Sequence, residues 1–389
     1  MEYFLIQIFL IFNRGFSMGM YFRKVWPILL IFFGGCTKAE NFPYSAYTVH
    51  FNEKQEIISL ARWATEGQYQ TNNSKIRTNA ILVIQNGKII LETYSSGFGP
   101  KTLHPTWSIS KFLLNGAVGQ AVALGKLDLE KPVRFYLQKF PISNLGELKV
   151  KHLLFFASGI EWKERYEWAP FNSDILEILY GEGNRDITDY ISKLKFSHVP
   201  GEKISYSSGD SNLLSAVLSS VENNFPEMYF KRTGISLYVW ERDGKGIPVA
   251  SSYAYLSARD LAKIGLLYSD EISGRSSGIF PKDWISKTFR IYDLKSKRPW
   301  YLDTFRIPSM GGHVYLNRFS PDSEDLYYPQ LSPRSFFASG HWGQFLVVDP
   351  EKKLIVIRLG NDRGSKFPIR EFLDRLLSIL NKSDSGKLQ

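Results

Sequence analysis

Between Trp107 and Leu129 the chain reads Trp-Ser-Ile-Ser-Lys and then runs on almost without polarity. The thirteen positions after Lys111 hold only two polar side chains, Asn115 and Gln120. A helix that is apolar nearly all round is a buried element. A lysine at the head of such a helix therefore needs a chemical reason. Ser108 lies three residues earlier, and positions i and i+3 share a helical face, which puts the amine beside the hydroxyl. Burial and the partial positive charge of a helix N-terminus both favour a neutral Lys111 able to accept a proton. Ser108 is then a candidate activated nucleophile.

Two other stretches match catalytic patterns and fail on context. Ser192-Lys193-Leu194-Lys195 repeats the Ser-x-x-Lys spacing, but late in an amphipathic pattern with a second lysine, which reads as a solvated helix end. Gly274-Arg275-Ser276-Ser277-Gly278 matches a Gly-x-Ser-x-Gly elbow, yet a helix and not a strand precedes it, so it is expected to be a loop.

Further along, Pro200-Gly201-Glu202 leads through a short extended piece to Tyr206-Ser207-Ser208, with Asp210 and Ser211 as expected caps of the next helix. Beside a desolvated lysine, a phenolate at Tyr206 would be favoured by the cation and could serve as base and then acid. Ser339-Gly340-His341-Trp342-Gly343-Gln344 interrupts a strand-like run over 335–348 with two glycines, which marks close approach of a ligand or another backbone. That strand is expected to lie along the substrate and donate an N–H to an oxyanion. The six histidines are dispersed, so no metal site and no cofactor is predicted.

The formal charge of +10 comes from basic residues scattered among acids. That pattern favours solubility or attraction to an anionic envelope surface, not nucleic acid. Met20 to Lys24, the apolar run Val25 to Phe33 and Gly34-Gly35-Cys36 have the outline of an export signal, too short to span a bilayer as a helix. The lone cysteine, Cys36, resembles the lipidated cysteine of a bacterial lipoprotein, so a lipid anchor and an exported, envelope location are expected. A second apolar run, Phe4 to Phe12, is explained if translation starts at Met18 or Met20.

The expected organisation is a signal over 1–35, a tether over 36–50, a sheet domain from 51–105 and 236–382, a helical domain over 106–235, and a tail over 383–389. Asn86-Gly87 between two apolar runs is a strong hairpin signal, and a helix–hairpin start with strands near the C-terminus indicates an α+β fold made from both termini.

Taken together, Trp107-Ser108-Ile109-Ser110-Lys111, Val150 to Leu154 before Ser158-Gly159, Pro200-Gly201-Glu202 before Tyr206-Ser207-Ser208, and His341-Trp342-Gly343 resemble the serine β-lactamase-like hydrolases. Class C β-lactamases, D-alanyl peptidases, family VIII esterases and 6-aminohexanoate-oligomer hydrolases belong to that family. The resemblance runs from about Ile57 to Leu380 and implies a β-lactamase/transpeptidase-like fold: an antiparallel sheet with terminal helices and an inserted helical region. It implies Ser108 as nucleophile, Lys111 and Tyr206 as the base pair, and the N–H groups of Ser108 and Gln344 as oxyanion hole. His341, Trp342, Gly343 and Ser208 are the implied substrate-binding positions. The substrate is expected to be a small molecule or peptide-like ester or amide. Class C enzymes carry Asn where this chain has Ser208, and Lys-Thr-Gly where it has His341-Trp342-Gly343, which removes an amide and a permanent cation and points away from penicillins. The alternative reading is a non-catalytic envelope lipoprotein that binds peptidoglycan or a surface partner.

Overall fold

A computed structural model describes residues 48–49, 55–65, 76–166, 170–292, 307–320, 324–364 and 366–385. The expected signal, Cys36, most of the tether and the last four residues lie outside this set.

The strands are β1 (Thr48–Val49), β2 (Thr78–Gln85), β3 (Lys88–Tyr94), β4 (His104–Pro105), β5 (Val239–Trp240), β6 (Ala254–Leu256), β7 (Tyr315–Leu316), β8 (Phe336–Gly340), β9 (Gln344–Asp349) and β10 (Leu354–Gly360). Early helices are α1 (Gln55–Thr65), α2 (Ile109–Ala123), α3 (Val133–Tyr136), α4 (Val150–Leu154), α5 (Asp174–Tyr180) and α6 (Ile187–Ser192). Later ones are α7 (Ser208–Val221), α8 (Phe225–Arg232), α9 (Ala258–Ile272), α10 (Trp284–Thr288) and α11 (Ile369–Ser385).

The main sheet has the order β1-β3-β2-β10-β9-β8-β7. Every pairing is antiparallel except β1 with β3. The N-terminal strand β2 thus pairs with the C-terminal strand β10, which makes the α+β sheet from both ends of the chain. Along β2 the side chains alternate between two cores: Ile81 and Val83 pack with Leu60 of α1 and Phe372 and Leu376 of α11, while Ala80, Leu82 and Ile84 pack with α9 and α2. A strand buried on both faces needs apolar residues at successive positions, and Ala80 to Ile84 supplies them. The hairpin at Asn86-Gly87 forms with both residues at positive φ, 49° and 72°, as a tight two-residue turn demands.

One strand was expected over 335–348; two are found. His341-Trp342-Gly343 is the turn that joins β8 to β9, with Gly340 opposite Gln344 and the Gly343 N–H bonded to the Gly340 carbonyl. Trp342 and Gly343 take φ of 60° and 86°, which reverses the chain instead of extending it. The cap of α7 is also shifted, because Ser207 accepts from the Asp210 N–H.

α2 is buried along nearly its whole length. Its two polar side chains are treated differently. Asn115 is fully engaged, donating to the Gly312 carbonyl and accepting from Tyr268 and Trp284. Gln120 donates weakly to the Met228 carbonyl at 3.3 Å. Gly116 and Gly119 are close-approach positions: a Cβ at Gly116 would overlap the Tyr229 phenol, and one at Gly119 would lie 2.7 Å from the Trp284 ring.

Candidate active site

The segment that delivers Ser108 is pinned from below. Thr106 donates both its N–H and its hydroxyl to the Ala254 carbonyl, while the Ala254 N–H donates to the Ser110 hydroxyl. Between these anchors Trp107 takes φ of 49°, a left-handed conformation that costs a non-glycine residue about 1–2 kcal/mol. Its ring packs against Tyr253, His341 and Trp342. Ser108 then stands at the N-cap of α2, a position where serine usually bonds the helix N–H groups, yet its side chain makes no cap. Its hydroxyl is left for Lys111 and Tyr206.

The Lys111 ammonium, 2% exposed, donates to Ser108 Oγ at 3.2 Å, Ser208 Oγ at 3.0 Å and the Ser251 carbonyl at 2.9 Å. Asn212 fixes that third acceptor by bonding both the N–H and the hydroxyl of Ser251. Burial lowers the Lys111 pKa from its usual value to about 8, against an opposing pull from the Glu164 carboxylate.

Tyr206 enters from the loop before α7. The Gly201 N–H bonds the Ala157 carbonyl and the Ser205 N–H bonds the Phe156 carbonyl, so the 150–159 and 200–206 motifs are stitched together. Lys111 Nζ lies 4.8 Å from the centre of the Tyr206 ring. The phenolate expected there is not favoured. Burial pushes the Tyr206 pKa well above the usual tyrosine value, and Tyr315 and Glu164 push it the same way; only the Ser108 hydroxyl acts in the opposite sense. Desolvation dominates and the neighbouring tyrosines and Glu164 add to it, so the phenol is neutral near pH 7 and Lys111 is the group poised to gain or lose a proton.

Ser108, Lys111 and Tyr206 line a narrow cleft with Phe156, His313, Tyr315, Ala338 and Ser339. A larger cavity of about 410 Å³ lies against Phe289, Arg290 and Pro333. It holds none of these three groups, and the chemistry identifies the smaller cleft.

His341 stacks on Tyr166 with ring centres 4.6 Å apart and meets the edge of Trp107, and Trp342 packs on the same indole. None of His341, Trp342, Gly343 and Gln344 is among the residues that line the cleft. Gln344 is fully buried; its side chain donates to the His341, Trp342 and Gly360 carbonyls and accepts from the Gly360 N–H. Arg358 clamps the same turn from beneath, bonding the Gly343 carbonyl and pairing with Asp362. The backbone facing Ser108 belongs to β8. There β7 pairs only with Phe336 and Phe337, which leaves the edge at Ala338 to Gly340 without a strand partner on that side among the described residues. Gly340 is required where it stands, since a Cβ would overlap the Thr106 carbonyl.

Ser208 turns away from the cleft and bridges Lys111 to Glu164. Glu164 was invisible to motif reading, lying in an irregular loop 44 residues from Ser208. His313, also unread, donates from Nδ1 to the Leu154 carbonyl and so accepts at Nε2 from Ser211; burial lowers its pKa to about 3 and holds it neutral. Residues 274–278 form an irregular turn after α9, and Ser192 is the half-buried last residue of α6, a helix end as the sequence indicates.

A family model described as Beta-lactamase matches residues 61–378. Over 226 residues the chain is 23% identical to the 6-aminohexanoate-dimer hydrolase of Paenarthrobacter ureafaciens, covering 54% of this chain and 56% of that protein. The chain thus spans about half the length of the curated relative it matches. Among solved structures, a Bacillus anthracis protein named as a candidate 6-aminohexanoate-dimer hydrolase superposes with a TM-score of 0.66 at 17% identity, over 89% of this chain and 90% of that one. EstCE1, a hydrolase with promiscuous acyltransferase activity, superposes with a TM-score of 0.64 at 15% identity, over 82% and 98%. At such identities the likeness is one of fold. With the family model spanning most of its length, the chain belongs to the β-lactamase family of hydrolases.

Proposed function

We propose that this protein is a serine hydrolase that cleaves an ester or amide through an acyl-Ser108 intermediate. One observation carries the reading: a buried amine with its pKa lowered to about 8 lies 3.2 Å from a serine hydroxyl that caps nothing.

Neutral Lys111 takes the Ser108 proton as Oγ attacks the carbonyl carbon, forming a tetrahedral oxyanion. The open edge of β8 at Ala338 to Gly340 and the Ser108 N–H at the start of α2 supply the donors for that charge. The proton held by Lys111 passes to the leaving oxygen or nitrogen, with the neutral Tyr206 phenol as relay, and the C–O or C–N bond breaks. Water then attacks the acyl-Ser108 carbonyl and gives a proton to Lys111; the second tetrahedral oxyanion collapses with cleavage of the C–Oγ bond, and Lys111 returns the proton to Ser108 Oγ, which frees the acid and the serine.

A linear ester or amide of the 6-aminohexanoate type, not a penicillin, is the favoured substrate class. Its support is the loss of an amide at Ser208, which is committed to Lys111 and Glu164, together with the names of the relatives. A location at the cell envelope, held by a lipid on Cys36, is supported by the basic, apolar and small-residue succession from Met20 to Cys36.

The test is a panel of p-nitrophenyl esters, linear amides and a chromogenic cephalosporin, each run with wild type and Ser108→Ala. Turnover of esters or amides that exceeds turnover of the cephalosporin and vanishes in Ser108→Ala is expected. A folded protein that turns over none of them, or one indifferent to Ser108→Ala, refutes the proposal.

A further inference from the structure

Lys111 must do two things that conflict. It has to be neutral to take a proton, and its lone pair has to face Ser108 and no other partner. As an ammonium it has three N–H donors, and the structure supplies three acceptors, Ser108 Oγ, Ser208 Oγ and the Ser251 carbonyl. As a neutral amine it has only two, so the orientation of the lone pair depends on which acceptors are obligatory. The Ser251 carbonyl is one, because a carbonyl cannot donate. Ser208 is a hydroxyl and could play either part.

Glu164 removes that freedom. Its Oε1 accepts from Ser208 Oγ at 2.8 Å and its Oε2 accepts from the Ser208 N–H at 2.9 Å. A serine hydroxyl has one proton. Once that proton is given to Glu164, Ser208 can only accept from Lys111. Trp162 Nε1 and the Tyr166 hydroxyl donate to the same carboxylate at 2.5 and 2.9 Å, so its acceptor sites are filled from within the protein.

We propose that Glu164 is a positioning residue for Lys111: by fixing Ser208 as an acceptor it directs both N–H bonds of the neutral amine to Ser208 and Ser251, leaving the lone pair aimed at the Ser108 hydroxyl. This inference rests on the acyl-Ser108 reading above. It gives Ser208 a task different from substrate recognition, and it gives a catalytic purpose to a carboxylate that touches neither Ser108 nor Lys111. The groups facing Lys111 are Ser108, Tyr206 and Ser208 from the two helix starts and their approaches, the Ser251 carbonyl, and the neutral His313 across the cleft. Glu164 is the carboxylate that acts on it through this set.

The experiment measures kcat, KM and the pH dependence of kcat/KM for a p-nitrophenyl ester in wild type, Glu164→Gln, Ser208→Ala, the double variant and Ser108→Ala, with thermal melting of each. Glu164→Gln keeps an acceptor for the Ser208 N–H while removing the charge. Its kcat is expected to fall on the order of 100-fold with KM nearly unchanged, as for a misaligned base. Since Glu164 holds the Lys111 pKa up, the acid limb of the profile should move to lower pH. Ser208→Ala should match that loss, and the double variant should be no worse than Ser208→Ala alone. Ser108-dependent turnover in which Glu164→Gln keeps the wild-type kcat, or loses kcat with the acid limb unmoved, overturns this inference alone. Additive losses in the double variant do so as well. Turnover that survives Ser108→Ala overturns the acyl-Ser108 reading and this inference with it.

Discussion

Catalytic efficiency should climb with pH through about 8, because the base is Lys111 in its neutral form. With burial lowering its pKa to about 8, roughly a tenth of the molecules hold a neutral Lys111 at pH 7, about half at pH 8 and about nine-tenths at pH 9. The sign follows from the group's role: a base works when deprotonated, so log(kcat/KM) should have a slope of about one against pH below 8 and level off above it. Between pH 7 and 9 the gain is about tenfold. Tyr206 adds no second acid limb, since its pKa is raised well above the usual tyrosine value and the phenol stays neutral throughout. Because kcat/KM reports the free enzyme, the assay is initial-rate hydrolysis of a p-nitrophenyl ester well below KM, at constant ionic strength, followed at the isosbestic wavelength of the product. A flat profile, or one that falls as the pH rises from about 6.5 to 9, would refute the assignment of Lys111 as the base.

Two stability measurements probe the scaffold beneath the site. Gly116→Ala adds a methyl group where Tyr229 already lies, so thermal melting should show a loss of about 1–3 kcal/mol despite the better helix propensity of alanine. Arg358→Met strands the Asp362 carboxylate, which like Arg358 is no more than 1% exposed, and urea unfolding should register a loss of about 3–5 kcal/mol. The double change Arg358→Met with Asp362→Leu should recover a large part of that loss, because no uncompensated charge then remains buried.

The parts of this molecule that are legible in the sequence are those set by local chemistry. A lysine opening an apolar helix, Asn-Gly between two apolar runs and strand-like segments at both ends each have one physical explanation, and the structure contains all three. His341-Trp342-Gly343 was harder, because paired glycines in a strand-like run fit either close approach or chain reversal. Trp342 gives no warning of a positive φ, as aromatic residues ordinarily favour strands. The protonation of Tyr206 depends on how completely neighbours exclude water, which a linear sequence does not reveal. Glu164 is the extreme case. Nothing in Lys163-Glu164-Arg165 distinguishes it from a solvated loop acid, and its significance arises only when the fold sets it against Ser208.

The most direct measurement is intact-mass and peptide mapping of the protein after reaction with a fluorophosphonate. A single adduct on the peptide that holds Ser108, absent in Ser108→Ala and formed at least about 100-fold more slowly in Lys111→Ala, is the expected result. An unmodified protein of native fold, or an adduct on another serine such as Ser192 or Ser276, would contradict the central claim.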